Sequence, residues 1–277
     1  MLFRSPVEAA ALINNDIMKW FTFDKRWYFH PTDQGLAEMK RTGLGRCEDM
    51  TNLTIYAMRA NGLSVTSDYT PYWANSGNNH AWNAIILPGG QAIPFMGAEA
   101  NPGSYGLPGK PAKIYRKSFA KQRQNLAFVK GDTAVKVPAW LGGKSYVDVT
   151  ASYGEVTDVL VTLDSLPPDS IRFAYLCVFN DGEWKPIQWS DITGKRVIFK
   201  DMARQITYMP GLYVNEKIVP IGNAFVLQAD GTRRELVADM AEPVDIVCTG
   251  VMSRAMDKSS ETVAGSGLKI GEVYGRY

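Results

Sequence analysis

Two residues in the first third of the chain have the types and spacing for nucleophilic chemistry: Cys47 and His80. Gly45 precedes the cysteine, and apolar residues with helical spacing follow it: Met50, Leu53, Ala57 and Ala60. Gly62 is a typical residue for the end of such a helix. The pattern therefore predicts a helix that begins at or beside Cys47.

The start of a helix favours an anion, because its free N–H groups and the positive end of its dipole point there. A cysteine needs this help, since only the thiolate is a good nucleophile and its ordinary pKa is ~8.5. Glu48 and Asp49 follow directly and would oppose a thiolate. We therefore expect a nearby imidazolium to stabilise it. Such a pair should stay reactive well below pH 8.

His80 lies at the start of a predicted strand over residues 81–87, and the preceding apolar run, residues 63–73, predicts another strand. Pro88-Gly89-Gly90 predicts a turn, after which residues 91–96 return antiparallel. If the turn centres on Gly89, paired residue numbers sum to about 178 and residue 98 faces His80. Glu99 is then the nearest carboxylate to orient the imidazole. Asn101 is a second candidate for this role, and Asn83 a third.

This ordered set resembles the transglutaminase-like superfamily, which shares the chemistry of papain-like cysteine proteases. The matching features are the cysteine at a helix start, the Arg-Ala-Asn-Gly helix end, and the His-Ala-Trp sequence at the start of a strand, residues 80–82. The set also looks like transglutaminase-like proteins of Bacteroidetes. The family expects an aspartate at the end of the next strand, where this chain has none. The resemblance is firm over residues 35–105.

The resemblance implies a cysteine-dependent acyl-transfer enzyme with Cys47 as nucleophile and His80 as base and acid. The predicted register assigns the orienting role to Glu99. Peptide or carboxamide bonds are the expected targets, in a protein, peptide or peptidoglycan-type substrate. Hydrolysis by a protease or amidase is the default outcome, and transamidation is the alternative. We expect Trp73 and Trp82 to contact substrate, and we expect no cofactor and no metal.

A catalytically inactive peptide-binding, glycan-binding or scaffold module is the competing hypothesis. The missing aspartate and the acidic residues Glu48 and Asp49 motivate it. The backbone N–H of Cys47 is the expected oxyanion donor of the enzyme, with Gln34 as a weaker candidate. Aromatic residues between 20 and 29 would form either core or one wall of a substrate groove.

The fold class expected is α+β, with a papain/transglutaminase-like N-terminal domain (residues 1–140) and an antiparallel β-sandwich C-terminal domain (141–277). In the second half, apolar residues recur at every second position, starting with residues 146–150, which is typical of strands. Turn sequences such as Asn180-Asp181-Gly182 separate these short strands. Trp184 and Trp189 would pack on strands or bind ligand. Cys177 and Cys248 would be free thiols, or a disulfide in an exported protein.

Composition excludes several classes of protein. The net charge is only +2 and both signs are mixed along the chain, so the sequence does not indicate a nucleic-acid-binding surface. The sequence contains no run of 18 apolar residues, so we expect no membrane span. The basic stretch at 113–124 is interpreted as a solvated face.

The localisation is not indicated consistently. The chain does not begin with the apolar core of a signal peptide, whereas the resemblance suggests a secreted or periplasmic protein. The abrupt C-terminus suggests a fragment. The oligomeric state is not indicated.

Overall fold

The computed structural model describes residues 5–132, 135–168 and 170–237, and the strands at 249–251 and 262–264. The contacts divide the chain into a large unit, residues 1–235, and a second unit, residues 236–277. Within the second unit, Thr249–Val251 pairs antiparallel with Thr262–Ala264. Cys248 lies outside the described residues, so the disulfide hypothesis is not tested, and Cys177 is a buried free thiol.

The α-helices of the described residues lie in the first half of the chain. They are α1 (Pro6–Met18), α2 (Leu36–Thr42), α3 (Cys47–Ala60) and α4 (Leu126–Val129). Short 3-10 helices occur at Lys25–Phe29, Ala139–Gly142 and Thr150–Ser152. Ser5 caps α1, because its hydroxyl accepts the N–H of Glu8 at 3.2 Å. Gly43 ends α2 in the left-handed conformation that glycine adopts without strain.

The N-terminal part is built on a five-stranded antiparallel sheet. Its strands are β3 (Val65–Thr70), β4 (His80–Ile86), β5 (Ala92–Phe95), β6 (Tyr115–Lys117) and β7 (Tyr146–Asp148), in the order β5-β4-β3-β6-β7. Two short strands, β1 (Thr22–Phe23) and β2 (Leu44–Gly45), form a separate parallel pair. The apolar face of α3 packs on this sheet and on α1, which places the start of α3 beside the start of β4.

The β-rich part is an antiparallel sandwich of two sheets. Its strands are β8 (Val156–Thr162), β9 (Phe173–Asn180), β10 (Glu183–Asp191), β11 (Arg196–Ala203), β12 (Ile206–Val214), β13 (Lys217–Pro220), β14 (Phe225–Leu227) and β15 (Arg233–Glu235). One sheet has the order β10-β9-β12-β14-β15, with β13 also paired to β12, and the other consists of β8 and β11. Inward-facing apolar residues of both sheets share one core. The α+β class and the sandwich are therefore confirmed.

Two expectations for the region after residue 100 were wrong in detail. The strand at 146–148 completes the first sheet as β7, because β6 pairs with it antiparallel, rather than starting the sandwich. Side chains alternate with a period of two in the strands of any sheet, so the sequence pattern could not show which sheet this strand joins. The stretch at 113–124 is not simply a solvated face, since Lys113 is 0% exposed and Tyr115 is buried. The division into an N-terminal part and a β-rich part remains our proposal, with β7 in the N-terminal part.

Candidate active site

The structure places Cys47 at the first residue of α3, where it is only 2% exposed. The helix start is fixed by Asp49, whose carboxylate accepts the N–H of Arg46 at 3.0 Å and the N–H of Gln34 at 2.8 Å. The side-chain amide of Gln34 donates to Asp49 and to the carbonyl of Leu44. Gln34 is thus occupied in holding the helix start, which leaves it poorly placed as an oxyanion donor.

Glu48 is the hydrogen-bond partner of the Cys47 thiol: Sγ donates to Oε2 over 3.1 Å. Burial raises the pKa of Cys47 to about 12, and the charge of Glu48 adds to this rise. The backbone N–H groups of Ala81 and of Glu48 act in the opposite direction and lower the pKa of Cys47. Burial, together with the charges of Cys47 and Glu48, also raises the pKa of the neighbouring Tyr28 to about 12.

His80 is the first residue of β4, opposite Thr70 on β3. Its Nε2 lies 2.8 Å from the hydroxyl of Tyr105. The imidazole stacks on Trp73 and on Trp82, with both ring centroids 5.7 Å away. Burial lowers the pKa of His80, and the nearby charge of Glu48 opposes this effect.

This electrostatic state differs from the expected thiolate–imidazolium pair. Burial favours the neutral forms of both Cys47 and His80, and among the described residues the thiol is hydrogen-bonded to Glu48 rather than to the imidazole. The sequence revealed the acidic neighbours of Cys47, but not the depth at which the sulfur lies. Burial therefore acts against the ion pair at both Cys47 and His80.

Glu99 does not reach His80, although the predicted register is correct. Asn83 faces Phe95, and these numbers sum to 178 as expected. The strand β5 ends at Phe95, however, and the chain turns through residues 96–100 with Ala98 at φ 58°. Glu99 is exposed in this turn, and its charge acts on Tyr105 instead. Tyr105 therefore occupies the position beside Nε2 that was predicted for Glu99.

Buried asparagines hold the turn that removes Glu99 from the imidazole. The side chain of Asn14 on α1 accepts the N–H of Ala98 at 2.8 Å and donates to the carbonyl of Met96. Asn83 accepts the N–H of Gly97 at 3.1 Å and donates to a carbonyl of α3. Asn101 bonds to asparagines of α1. Asn83 and Asn101, the other candidates for orienting His80, thus make structural hydrogen bonds in this arrangement.

Both tryptophans expected to contact substrate pack against the imidazole. Trp82 is 0% exposed and donates its indole N–H to the hydroxyl of Tyr153 at 2.9 Å. Tyr153 in turn donates to Asp68 at 2.6 Å, and Arg116 holds the same carboxylate with two bonds of 2.7 Å. Trp82 thus supports His80 from behind and has no surface for substrate. Trp73 is also buried, on another side of the ring.

The aromatic residues between 20 and 29 lie beside the site and are divided between core and surface. Phe21 is buried, whereas Trp20, Phe23 and Phe29 are exposed. The segment borders an open groove of about 550 Å³ lined by Trp27, Phe29 and His30, among others. His30 lies at hydrogen-bond distance from Thr32 and 3.4 Å from Glu38, away from Cys47.

Sequence reasoning missed Tyr105 and the direct contact of Glu48. Tyr105 lies in a loop 25 residues after His80, without a periodic pattern to mark it. Glu48 was recognised only as a charge that opposes the thiolate. In the described part of the chain, no group of three or more His, Cys, Asp or Glu side chains could hold a metal ion. Nor does any helix there have the length and apolar character to cross a membrane.

Residues 3–95 match the family model of the transglutaminase-like superfamily. Comparison with curated proteins found no match, and comparison with solved structures also found none. The matched range includes Cys47, His80 and the strands that carry the site. The N-terminal part of this chain is therefore similar to the transglutaminase-like superfamily over residues 3–95, and a β-rich part follows it.

Proposed function

We propose that this protein is a cysteine-dependent acyl-transfer enzyme that acts on peptide or carboxamide bonds through a thioester at Cys47. The observation that carries the proposal is the meeting of the start of α3 with the start of β4. There Cys47 and Trp82 belong to one buried cluster, and the Trp82 ring stacks on His80. Acyl transfer requires a base close to the nucleophile, and this packing supports that role for His80.

In the proposed reaction the proton of Sγ passes to His80, and the thiolate attacks the carbonyl carbon. Backbone N–H groups at the start of α3, with that of Cys47 first among them, stabilise the developing oxyanion. The carbon–nitrogen bond then breaks, and His80 returns the proton to the leaving nitrogen. Water or an amine finally attacks the thioester and frees Cys47.

Tyr105 takes the orienting role in this scheme. Its hydroxyl is 2.8 Å from Nε2, which fixes the ring and leaves Nδ1 as the nitrogen for proton exchange with the nucleophile. We therefore propose Cys47, His80 and Tyr105 as the functional set, with Glu99 acting only through its charge on Tyr105. Trp73 and Trp82 stack on the imidazole of His80 and fix the orientation of its ring plane.

A binding module without turnover is the second candidate. It is favoured by the deep burial of Cys47 and by the carboxylate of Glu48 on its thiol. In that case half-buried Trp27 and exposed Phe29, which line the groove, would bind a peptide or glycan without any reaction at Cys47.

A generic acyl donor separates these two candidates without knowledge of the substrate. p-Nitrophenyl acetate is mixed with the wild type, Cys47→Ala, His80→Ala and Cys177→Ala, and nitrophenolate release and intact mass are followed. Acyl transfer predicts one acetyl group at Cys47, formed quickly in the wild type and in Cys177→Ala, slowly in His80→Ala and never in Cys47→Ala. Equal acetylation of the wild type and His80→Ala would contradict the enzyme proposal.

A further inference from the structure

The carboxylate of Glu48 is the one acidic group in direct contact with the proposed nucleophile in the described structure. Its Oε2 accepts the Cys47 thiol at 3.1 Å, and its Oε1 accepts the side-chain amide of Asn79 at 3.0 Å. The Glu48 side chain is 15% exposed, so one edge of it still meets solvent. Glu48 therefore lies between the buried sulfur and the surface.

The charge of Glu48 is only partly balanced within the protein. Arg46 approaches it at 3.3 Å, but the same guanidinium bonds to Asp33 at 2.9 Å. Two carboxylates thus share one cation, while Asp49 is occupied by the N–H groups of Arg46 and Gln34. The cluster of Asp33, Arg46 and Glu48 carries a net charge of −1 when all three are ionised.

The other titratable groups around the sulfur do not supply the missing positive charge. Tyr28 and Tyr105 are phenols that remain neutral, and burial favours neutral His80. The backbone N–H groups of Ala81 and Glu48 lower the pKa of Cys47, but the burial of the thiol and the negative charge of Glu48 outweigh them. The site at rest therefore lacks one positive charge for a stable thiolate.

We propose that Glu48 makes the nucleophile conditional on substrate charge, so that a cationic group of the substrate, an ammonium or a guanidinium, binds Glu48 and releases the Cys47 thiol. The cation takes the place of the thiol at the carboxylate, and the proton of Sγ passes to His80. The thiolate then forms the carbon–sulfur bond of the acyl intermediate. The inference rests on the proposed function and adds a substrate class: acyl donors or acceptors with a positive charge close to the reacting carbonyl.

Charged thiol reagents of similar size test this on Cys47 alone. Methanethiosulfonates with a trimethylammonium or a sulfonate group each react with the thiolate to form a mixed disulfide and release methanesulfinate. The wild type, Glu48→Gln and the matched control Glu183→Gln are labelled at pH 7, with Cys47→Ala to identify the modified peptide by mass. Glu183 is an exposed carboxylate of the sandwich, paired with Lys185.

We expect the cationic reagent to modify Cys47 in the wild type and in Glu183→Gln about tenfold faster than the anionic one, which corresponds to about 1.4 kcal/mol. In Glu48→Gln this preference should fall to the ratio that the two reagents show with a small free thiol, and neutral iodoacetamide should react faster than with the wild type. Loss of the preference in the wild type at high salt supports the same conclusion without a variant, since salt screens the carboxylate.

Two results would overturn the inference. One is an equal rate for both charged reagents in the wild type. The other is slower reaction of folded Glu48→Gln with every reagent, which would identify Glu48 as a group that promotes ionisation of the thiol. Neither result depends on acyl transfer, whereas missing acetylation by p-nitrophenyl acetate would contradict the proposed function and leave the reagent preference intact.

Discussion

The side-chain amide nitrogen of Asn180, at the end of β9, lies 3.0 Å from the carbonyl oxygen of Trp73, the residue that stacks on His80. The same nitrogen is 2.8 Å from the carbonyl of Ser76 and 3.0 Å from that of Asn78. Asp181, the next residue, accepts the N–H of Asn78 at 3.1 Å. A turn of the sandwich thus holds the loop that leads into the proposed active site.

We predict that Asn180→Ala lowers the free energy of unfolding by about 1–3 kcal/mol, because the carbonyl of buried Trp73 and two more carbonyls of the 73–78 loop lose a donor. Amide hydrogen exchange should accelerate in that loop and stay unchanged in α1. Urea denaturation and exchange mass spectrometry measure both effects. Asn223→Ala, at an exposed asparagine of the sandwich, is the matched control and should change stability by less than about 0.5 kcal/mol. Unchanged exchange in the loop would refute the positioning role of Asn180.

Tyr105→Phe should slow acetylation of Cys47 by roughly fivefold, since a neutral hydrogen bond of about 1 kcal/mol to the imidazole is lost. The chain has only two histidines, so NMR titration can follow His80 with His30 as the internal reference. A role in orienting the ring predicts that the signals of His80 change while those of His30 do not. Tyr56→Phe, an exposed tyrosine of α3, serves as control. Acetylation at the wild-type rate would remove Tyr105 from the functional set.

Asp68→Asn should be strongly destabilising, by about 3 kcal/mol, because the partly buried guanidinium of Arg116 would lose its bidentate partner. Tyr153→Phe should cost less, about 1 kcal/mol, since it removes one neutral acceptor of the Trp82 indole and one donor to Asp68. Chemical denaturation ranks the two variants, and tryptophan fluorescence reports the environment of Trp82. A milder effect for Asp68→Asn than for Tyr153→Phe would contradict this order.

Stability should fall on acidification in part through His80. Burial lowers the pKa of His80 in the folded state, so below the unfolded value of about 6.5 the unfolded chain binds the proton more readily. Its contribution is therefore present above that pH and decreases below it. We expect the loss of unfolding free energy between pH 7.5 and pH 5 to be smaller in His80→Gln than in the wild type, and His30→Gln tests the other histidine. An equal loss in the wild type and His80→Gln would contradict the prediction.

The local parts of the site could be predicted because they follow from short-range rules. Gly45 and the apolar spacing after Cys47 indicate a helix start, and the structure has the helix begin at Cys47 itself. Pro88-Gly89-Gly90 sets the turn after β4, and this turn fixes the register that pairs Asn83 with Phe95. Asn180-Asp181-Gly182 predicts a tight hairpin, and both Asp181 and Gly182 have the positive φ that such a turn requires.

The sequence by itself determined that a cysteine begins a helix, that a histidine begins a strand, and that the β-rich half forms a sandwich. Only the tertiary structure decided what touches these two residues. The turn at 96–100 removes Glu99 because Asn14, more than 80 residues earlier, holds it. Tyr105 and Asn180 reach the site from loops 25 and about 100 residues away. Such contacts depend on how separate elements pack, whereas helix starts and register depend on neighbouring residues alone.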